Sequence, residues 1–132
     1  MSYLFDSSSI YRAILERRVD LLGGNYTAPL ARFELGNIIW KEVSLRKNLT
    51  REEGLKLTTY VENILDTMVI AEVNMVRTEM IAISNDITYY DASFVSLASD
   101  LNVQLVTEDE KLRRKIGKKG IVNVISLDEV ER

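Results

Sequence analysis

A chain of 132 residues is long enough to form one domain that buries roughly two-thirds of its unfolded surface without staples. With neither Cys nor His it has no disulfide, no thiolate or imidazole metal site, and no Ser-His-Asp or Cys-His nucleophile system, so any chemistry must run on carboxylates, hydroxyls, amides, Lys and Arg. The 17 basic and 20 acidic residues leave a net charge of -3, which argues against holding nucleic acid by bulk electrostatics but leaves room for a local basic patch.

Tyr3-Leu4-Phe5 is a short apolar run suited to a central strand, and Asp6 ends it. Ser7, Ser8 and Ser9 are candidate caps for a helix that continues through Ile10, Ala13, Ile14 and Arg17. Leu21-Leu22-Gly23-Gly24 stops that segment, and Tyr26-Thr27-Ala28-Pro29 leads into the next helix, with Pro29 suited to its first turn. Apolar residues from Leu30 through Phe33, Leu35, Ile38, Ile39 and Val43 to Leu45 recur along it, and Glu34 lies on the otherwise apolar stripe Ala31, Glu34, Ile38. A carboxylate on a packed face costs several kcal/mol unless something satisfies it. Trp40 reads as a packing residue.

Thr50-Arg51-Glu52-Glu53 carries a capping signal for a helix running to about Asp66. Met68 to Val73 reads equally as a strand or a continuing apolar segment, and Val76 to Ser84 as a helix with Met80 and Ile83 inward. Asn85-Asp86-Ile87 breaks it, and Thr88 caps the following helix, in which Asp91 sits three residues on and Phe94, Val95, Ala98 and Leu101 form the apolar side. Tyr89 and Tyr90 are expected to pack. Asn102 closes this helix, Val103 to Val106 is a buried strand, and Thr107 with Glu110 repeats the capping pattern, placing Asp109 in the first turn of another helix. Lys111, Arg113, Arg114, Lys115, Lys118 and Lys119 follow without an intervening acid. Gly117 and Gly120 bracket a turn before a last strand, Ile121 to Ile125, and a short capped helix at Ser126-Leu127-Asp128-Glu129.

Strands separated by helices imply an α/β fold with a parallel sheet covered on both sides, in which strand-to-helix junctions gather at the sheet's carboxyl edge. The chain shows no repeat or linker, so residues 1–132 are expected to be a single domain. The opening MSYLFD has no basic stretch leading into an apolar core, and no apolar run approaches a membrane span. A cytoplasmic location and no membrane association are expected.

Asp6, Glu34, Asp91 and Asp109 are candidates to converge on a divalent cation. Two unit charges about 5 Å apart at an effective dielectric of about 20 repel by roughly 3 kcal/mol, so such a group needs a cation, protons or separation. An all-oxygen donor set selects a hard ion, Mg2+ or Mn2+, and that ion could support phosphodiester hydrolysis without His. Residue by residue, plainer readings stand beside this one. Asp91 and Asp109 suit the helix dipole, Asp6 suits a turn, and Glu34 could pair with Arg32 or Lys41. Ser7 and Thr107 are caps or groups that orient neighbouring carboxylates.

LFDSS at Leu4 to Ser8, RFELGNIIW around Glu34, YDASFVSLA at Tyr90 to Ala98 and LVTEDEKL at Leu105 to Leu112 together resemble the PIN-domain family, especially its VapC-type toxins. The resemblance spans essentially the whole chain in order. It implies a three-layer α/β/α sandwich with a central parallel sheet, and Mg2+- or Mn2+-dependent endoribonuclease activity on RNA. Asp6, Glu34, Asp91 and Asp109 match the family's acidic positions, and Thr107 matches the hydroxyl of its TxD motif. It also implies a homodimer, and a VapB-like antitoxin whose segment enters or lies beside the acidic groove. A non-catalytic PIN-like module binding RNA or protein is the alternative. A haloacid-dehalogenase-like or receiver domain fits less well, because Asp6 is followed by serines and the second acid of a DxD pair is missing. Charge pattern alone suggests Lys111 to Lys119 as a basic rim for RNA, with Arg12, Arg17 and Arg18 as additions.

Overall fold

The computed structural model describes residues 2–131. Strand β1 (Tyr3–Phe5) leads into α1 (Ser7–Leu15), and after a 3-10 turn at Val19–Leu21 come β2 (Tyr26–Thr27), α2 (Leu30–Ser44), α3 (Arg51–Asp66) and β3 (Val69–Ile70). The chain continues through α4 (Met75–Asn85), α5 (Tyr89–Leu101), β4 (Gln104–Val106), α6 (Glu110–Gly117) and β5 (Val124–Ile125) to a 3-10 turn at Leu127–Glu129. All strand pairs are parallel, in the order β3-β2-β1-β4-β5.

Period-two alternation in the central strands divides the interior into two layers. Tyr3 and Phe5 of β1 and Val106 of β4 face the core built with α1, α2, α3 and the C-terminal Leu127 and Val130. Leu4 and Leu105, between them, face Phe94, Val95, Leu97 and Ala98 of α5 and Leu112 and Ile116 of α6. Helices thus cover both faces of the sheet, giving a three-layer α/β/α sandwich. Among the described residues no helix is long and apolar enough to cross a membrane.

Local chemistry sets the helix boundaries. Thr50 and Glu53 form a reciprocal capping box at the start of α3, and Ser126 with Glu129 forms another at the C-terminal 3-10 turn. Asp86 and Asn102 end α4 and α5 in the left-handed region, at φ of 52° and 55°.

Several expectations are corrected. Tyr26–Thr27 is a strand and not a lead-in, joined to β1 partly by the Thr27 hydroxyl, which donates to the Phe5 carbonyl at 2.8 Å. The open segment after Met68 contains only the two-residue β3, and the last strand is confined to Val124–Ile125. Pro29 precedes the first helical residue of α2, at its cap. Met80 and Ile83 point outward, 64% and 75% exposed, while Thr78 and Ala82 are the buried positions of α4. Trp40 and Tyr90 do not pack in the core either, being 52% and 62% exposed.

Candidate functional site

The strand order changes direction between β1 and β4, whose ends are in register at Phe5 and Val106. In open parallel sheets such a switch point leaves a crevice beyond the carboxyl ends of the strands. Asp6 is the first residue beyond β1 and Thr107 the first beyond β4, and the Asp6 amide donates to the Val106 carbonyl at 3.1 Å.

Asp6 itself caps α1, with the serines in the helix's first turn and not at its cap as expected. Its Oδ1 accepts from the Ser9 amide at 2.9 Å and the Ser8 hydroxyl at 2.7 Å, while Oδ2 accepts from the Thr107 hydroxyl. Burial pushes the Asp6 carboxyl up to about 6, and the donors, led by Thr107, oppose that rise only in part.

The commitment of Thr107 to Asp6 also corrects the expected start of α6. The Thr107 hydroxyl accepts from the Asp109 amide at 3.1 Å while donating to Asp6, so it does not cap the helix. Asp109 is the cap, its Oδ1 accepting from the Leu112 amide at 3.1 Å. Arg113 donates to the Thr107 carbonyl at 2.8 Å, tying the junction to α6.

Glu34 is half-buried on α2, and its Oε1 accepts from the Ser7 hydroxyl at 2.7 Å. Arg32 pairs instead with Asp66 at 3.3 Å, and among the described residues Glu34 makes no ion pair. Asp91 lies in the first turn of α5, its amide donating to the Thr88 hydroxyl at 3.1 Å. Partial burial raises the Asp91 carboxyl above its ordinary range, and the charges of Asp109 and Glu34 raise it further. Carboxylates from α2, α5 and the β4–α6 junction therefore act on one another.

All four acids line one cavity of about 270 Å3, together with Ser7, Ser8, Asn37 and Lys41. Asn37 and Lys41 follow Glu34 at helical spacing on α2, a pattern that could have marked them in the sequence. Ser8, expected only as a candidate helix cap, has a further part at the site. It donates to Asp6 and accepts from the Glu108 amide at 3.0 Å, clipping α1 to the β4–α6 junction.

The donor chemistry fits a hard divalent cation, and the cavity has room for several waters at ~30 Å3 each. As the side chains stand, no group of three Asp or Glu among the described residues is gathered tightly enough to hold an ion. Hydrogen bonding accounts for this spread. Asp6 is turned toward Thr107, Glu34 toward Ser7, and Asp109 toward its own helix.

Of the expected basic additions, Arg12 is not free for a ligand. It pairs with Glu16 and Asp128, each at 2.7 Å, and with Glu108. The Lys111 to Lys119 segment does flank the acids, since Lys111 and Lys115 line a cavity that also contains Asp91 and Asp109.

No protein-family model matches the chain. It is 26% identical over 130 residues to exonuclease VapC9 of Pyrobaculum aerophilum, covering 96% of this chain and 93% of the relative. It is 28% identical over 114 residues to ribonuclease VapC3 of the same organism, covering 76% and 77%. Its fold matches the crystal structure of PAE2754 from Pyrobaculum aerophilum with a TM-score of 0.78 at 23% identity, over 97% of this chain and 90% of the other. It also matches a toxin–antitoxin complex from Klebsiella pneumoniae with a TM-score of 0.64 at 15% identity, over 98% and 100%. Sequence agreement along most of two VapC proteins, joined to this shared architecture, makes the chain similar to VapC-like proteins of the PIN-domain family.

Proposed function

We propose that this chain is a metal-dependent endoribonuclease that hydrolyses RNA phosphodiester bonds, and that it is the toxin half of a type II toxin–antitoxin pair. The observation that carries this reading is the meeting of Asp6, Glu34, Asp91 and Asp109 around one cavity at the switch point of the sheet. In this reading the four carboxylates hold Mg2+ or Mn2+, and Ser7 and Thr107 orient Glu34 and Asp6. The cation would supply charge neutralisation at the scissile phosphate and a more acidic water. The Asp91 carboxyl, raised first by burial and then by the charges of Asp109 and Glu34, supports the reading that these acids act as one cluster.

A VapB-like antitoxin fits the same cavity, because a cation on an inserted segment would satisfy the carboxylates that otherwise repel one another. Homodimerisation is proposed through α4, whose Met75, Val76, Met80 and Ile83 leave an apolar surface on a short helix, suited to meeting its own copy about a two-fold axis.

The test is cleavage of end-labelled RNA with and without magnesium by the wild type and Asp91→Asn. Internal fragments from the wild type alone, and only with metal, are expected. A one-nucleotide ladder would replace the endonuclease assignment with an exonuclease, and equal cleavage by both proteins would remove Asp91 from the reaction. The spread of the carboxylates favours one second reading, a non-catalytic RNA- or protein-binding module. Intact RNA at every magnesium and manganese concentration would favour it.

A further inference from the structure

The cavity of the four acids shares Asp91 and Asp109 with a second cavity, and that one shares Asp86, Lys111 and Lys115 with a third. The third is completed by Asn85, Arg114, Lys118 and Lys119. The three form a trough that starts at the carboxylates and follows α6 and the turn after it.

The cations of this trough differ from five of the chain's ten arginines in lacking a carboxylate partner. Arg12, Arg32, Arg46, Arg77 and Arg113 all have carboxylate partners. Lys111, Arg114, Lys118 and Lys119 are exposed and make no ion pair among the described residues. Lys115 donates to the Asp86 carbonyl at 2.9 Å, which fixes its ammonium at the mouth of the second cavity without neutralising it. A helix C-terminus favours cations near its last turn, so it accounts for Arg114, Lys115 and the capping Lys118 and not for Lys111 in the first turn. On a chain of net charge -3, uncompensated cations gathered along one wall leading to the acids point to a polyanionic ligand.

We infer that α6 and its following turn are a phosphate track, binding the RNA backbone on one flank of the bond at the acidic cavity; this rests on the ribonuclease reading above. From Lys111 to Lys118 the segment spans about 10 Å, long enough to meet successive backbone phosphates of one strand. The contacts are electrostatic and made to the backbone, so the track selects for a strand on that flank and not for base sequence.

The test measures binding of a fluorescent single-stranded RNA by anisotropy without divalent metal, across a KCl series. The proteins are the wild type, Lys56→Ala, and the triple variant Arg114→Ala/Lys118→Ala/Lys119→Ala, whose changes are all at exposed positions. Each lost phosphate contact reduces the slope of log affinity against log salt by about 0.7, so the triple variant is expected to lose about 2 from the wild-type slope. Lys56→Ala, which removes an exposed cation of α3 outside the trough, is expected to keep that slope. Equal slopes for wild type and triple variant would overturn the track, as would a wild type that binds polyglutamate as tightly as RNA. A salt-sensitive, triple-variant-sensitive wild type that cuts no RNA would uphold the track while removing the nuclease reading.

Discussion

Thr107 donates its hydroxyl to Oδ2 of Asp6, joining the end of β4 to the end of β1 across 101 positions of sequence. That bond is the largest of the hydrogen-bonding effects that oppose the burial-driven rise of the Asp6 carboxyl. Thr107→Val keeps the shape and removes the donor, so it is expected to destabilise the fold by about 1–2 kcal/mol and to raise the Asp6 carboxyl further. RNA cleavage should slow by about 10–100-fold, with Thr107→Ser restoring it. Urea unfolding beside a pH–rate profile checks both effects. An unchanged profile for Thr107→Val would remove the residue from the site.

Asp6 also makes metal-free stability depend on pH. Its carboxyl titrates near 3.8 in the unfolded chain and near 6 when folded. Between those values the folded state keeps a proton that the unfolded state has released. Stability therefore falls as pH rises from about 4 to about 6, by up to about 3 kcal/mol. Asp6→Asn should flatten that slope in chelator-treated protein, as followed by urea midpoints at a series of pH values.

The packing of α2 on α3 supplies a test independent of the site. A Cβ built on Gly54 would lie 2.5 Å from Cγ2 of Val43. Gly54→Ala gains about 1 kcal/mol of helix propensity but overpacks this contact, and a net loss of about 1–2 kcal/mol is expected. Val43→Ala opens the space, so the double variant should be more stable than the two single losses add up to. Additive losses in thermal melts would show that the contact relaxes freely.

Dimerisation through α4 predicts a change of mass on charge insertion. Val76 and Ile83 are 73% and 75% exposed, so replacing either with Glu strains nothing inside the chain. Sedimentation equilibrium is expected to show a dimer for wild type and a monomer for Ile83→Glu. A wild-type monomer at tens of micromolar would leave this face for another partner.

The parts of this fold legible in the sequence were those with a local cause. The capping groups of α3 and α5, the left-handed Asn102 and the apolar run of β1 each act within a few residues. β2 was not legible as a strand, and β3 only as one of two readings of Met68 to Val73, because two residues carry no periodicity and only pairing in the sheet defines them. Met80 and Ile83 show the complementary failure. Helical spacing of apolar residues marks a face without saying whether this chain covers it. At the site, the four acids could be named one at a time. The Asp109 cap was misplaced because Thr107 is held by Asp6, a contact no local pattern carries.

The claim beneath all of this is that Asp6, Glu34, Asp91 and Asp109 can share one hard cation. Manganese titration followed by the loss of the free-ion electron paramagnetic resonance signal tests it most directly, using wild type and the four single amide variants Asp6→Asn, Glu34→Gln, Asp91→Asn and Asp109→Asn. Wild type is expected to take up manganese stoichiometrically, with weaker uptake by every variant. A wild type that leaves the signal untouched at millimolar manganese, or four variants that bind as wild type does, would contradict it.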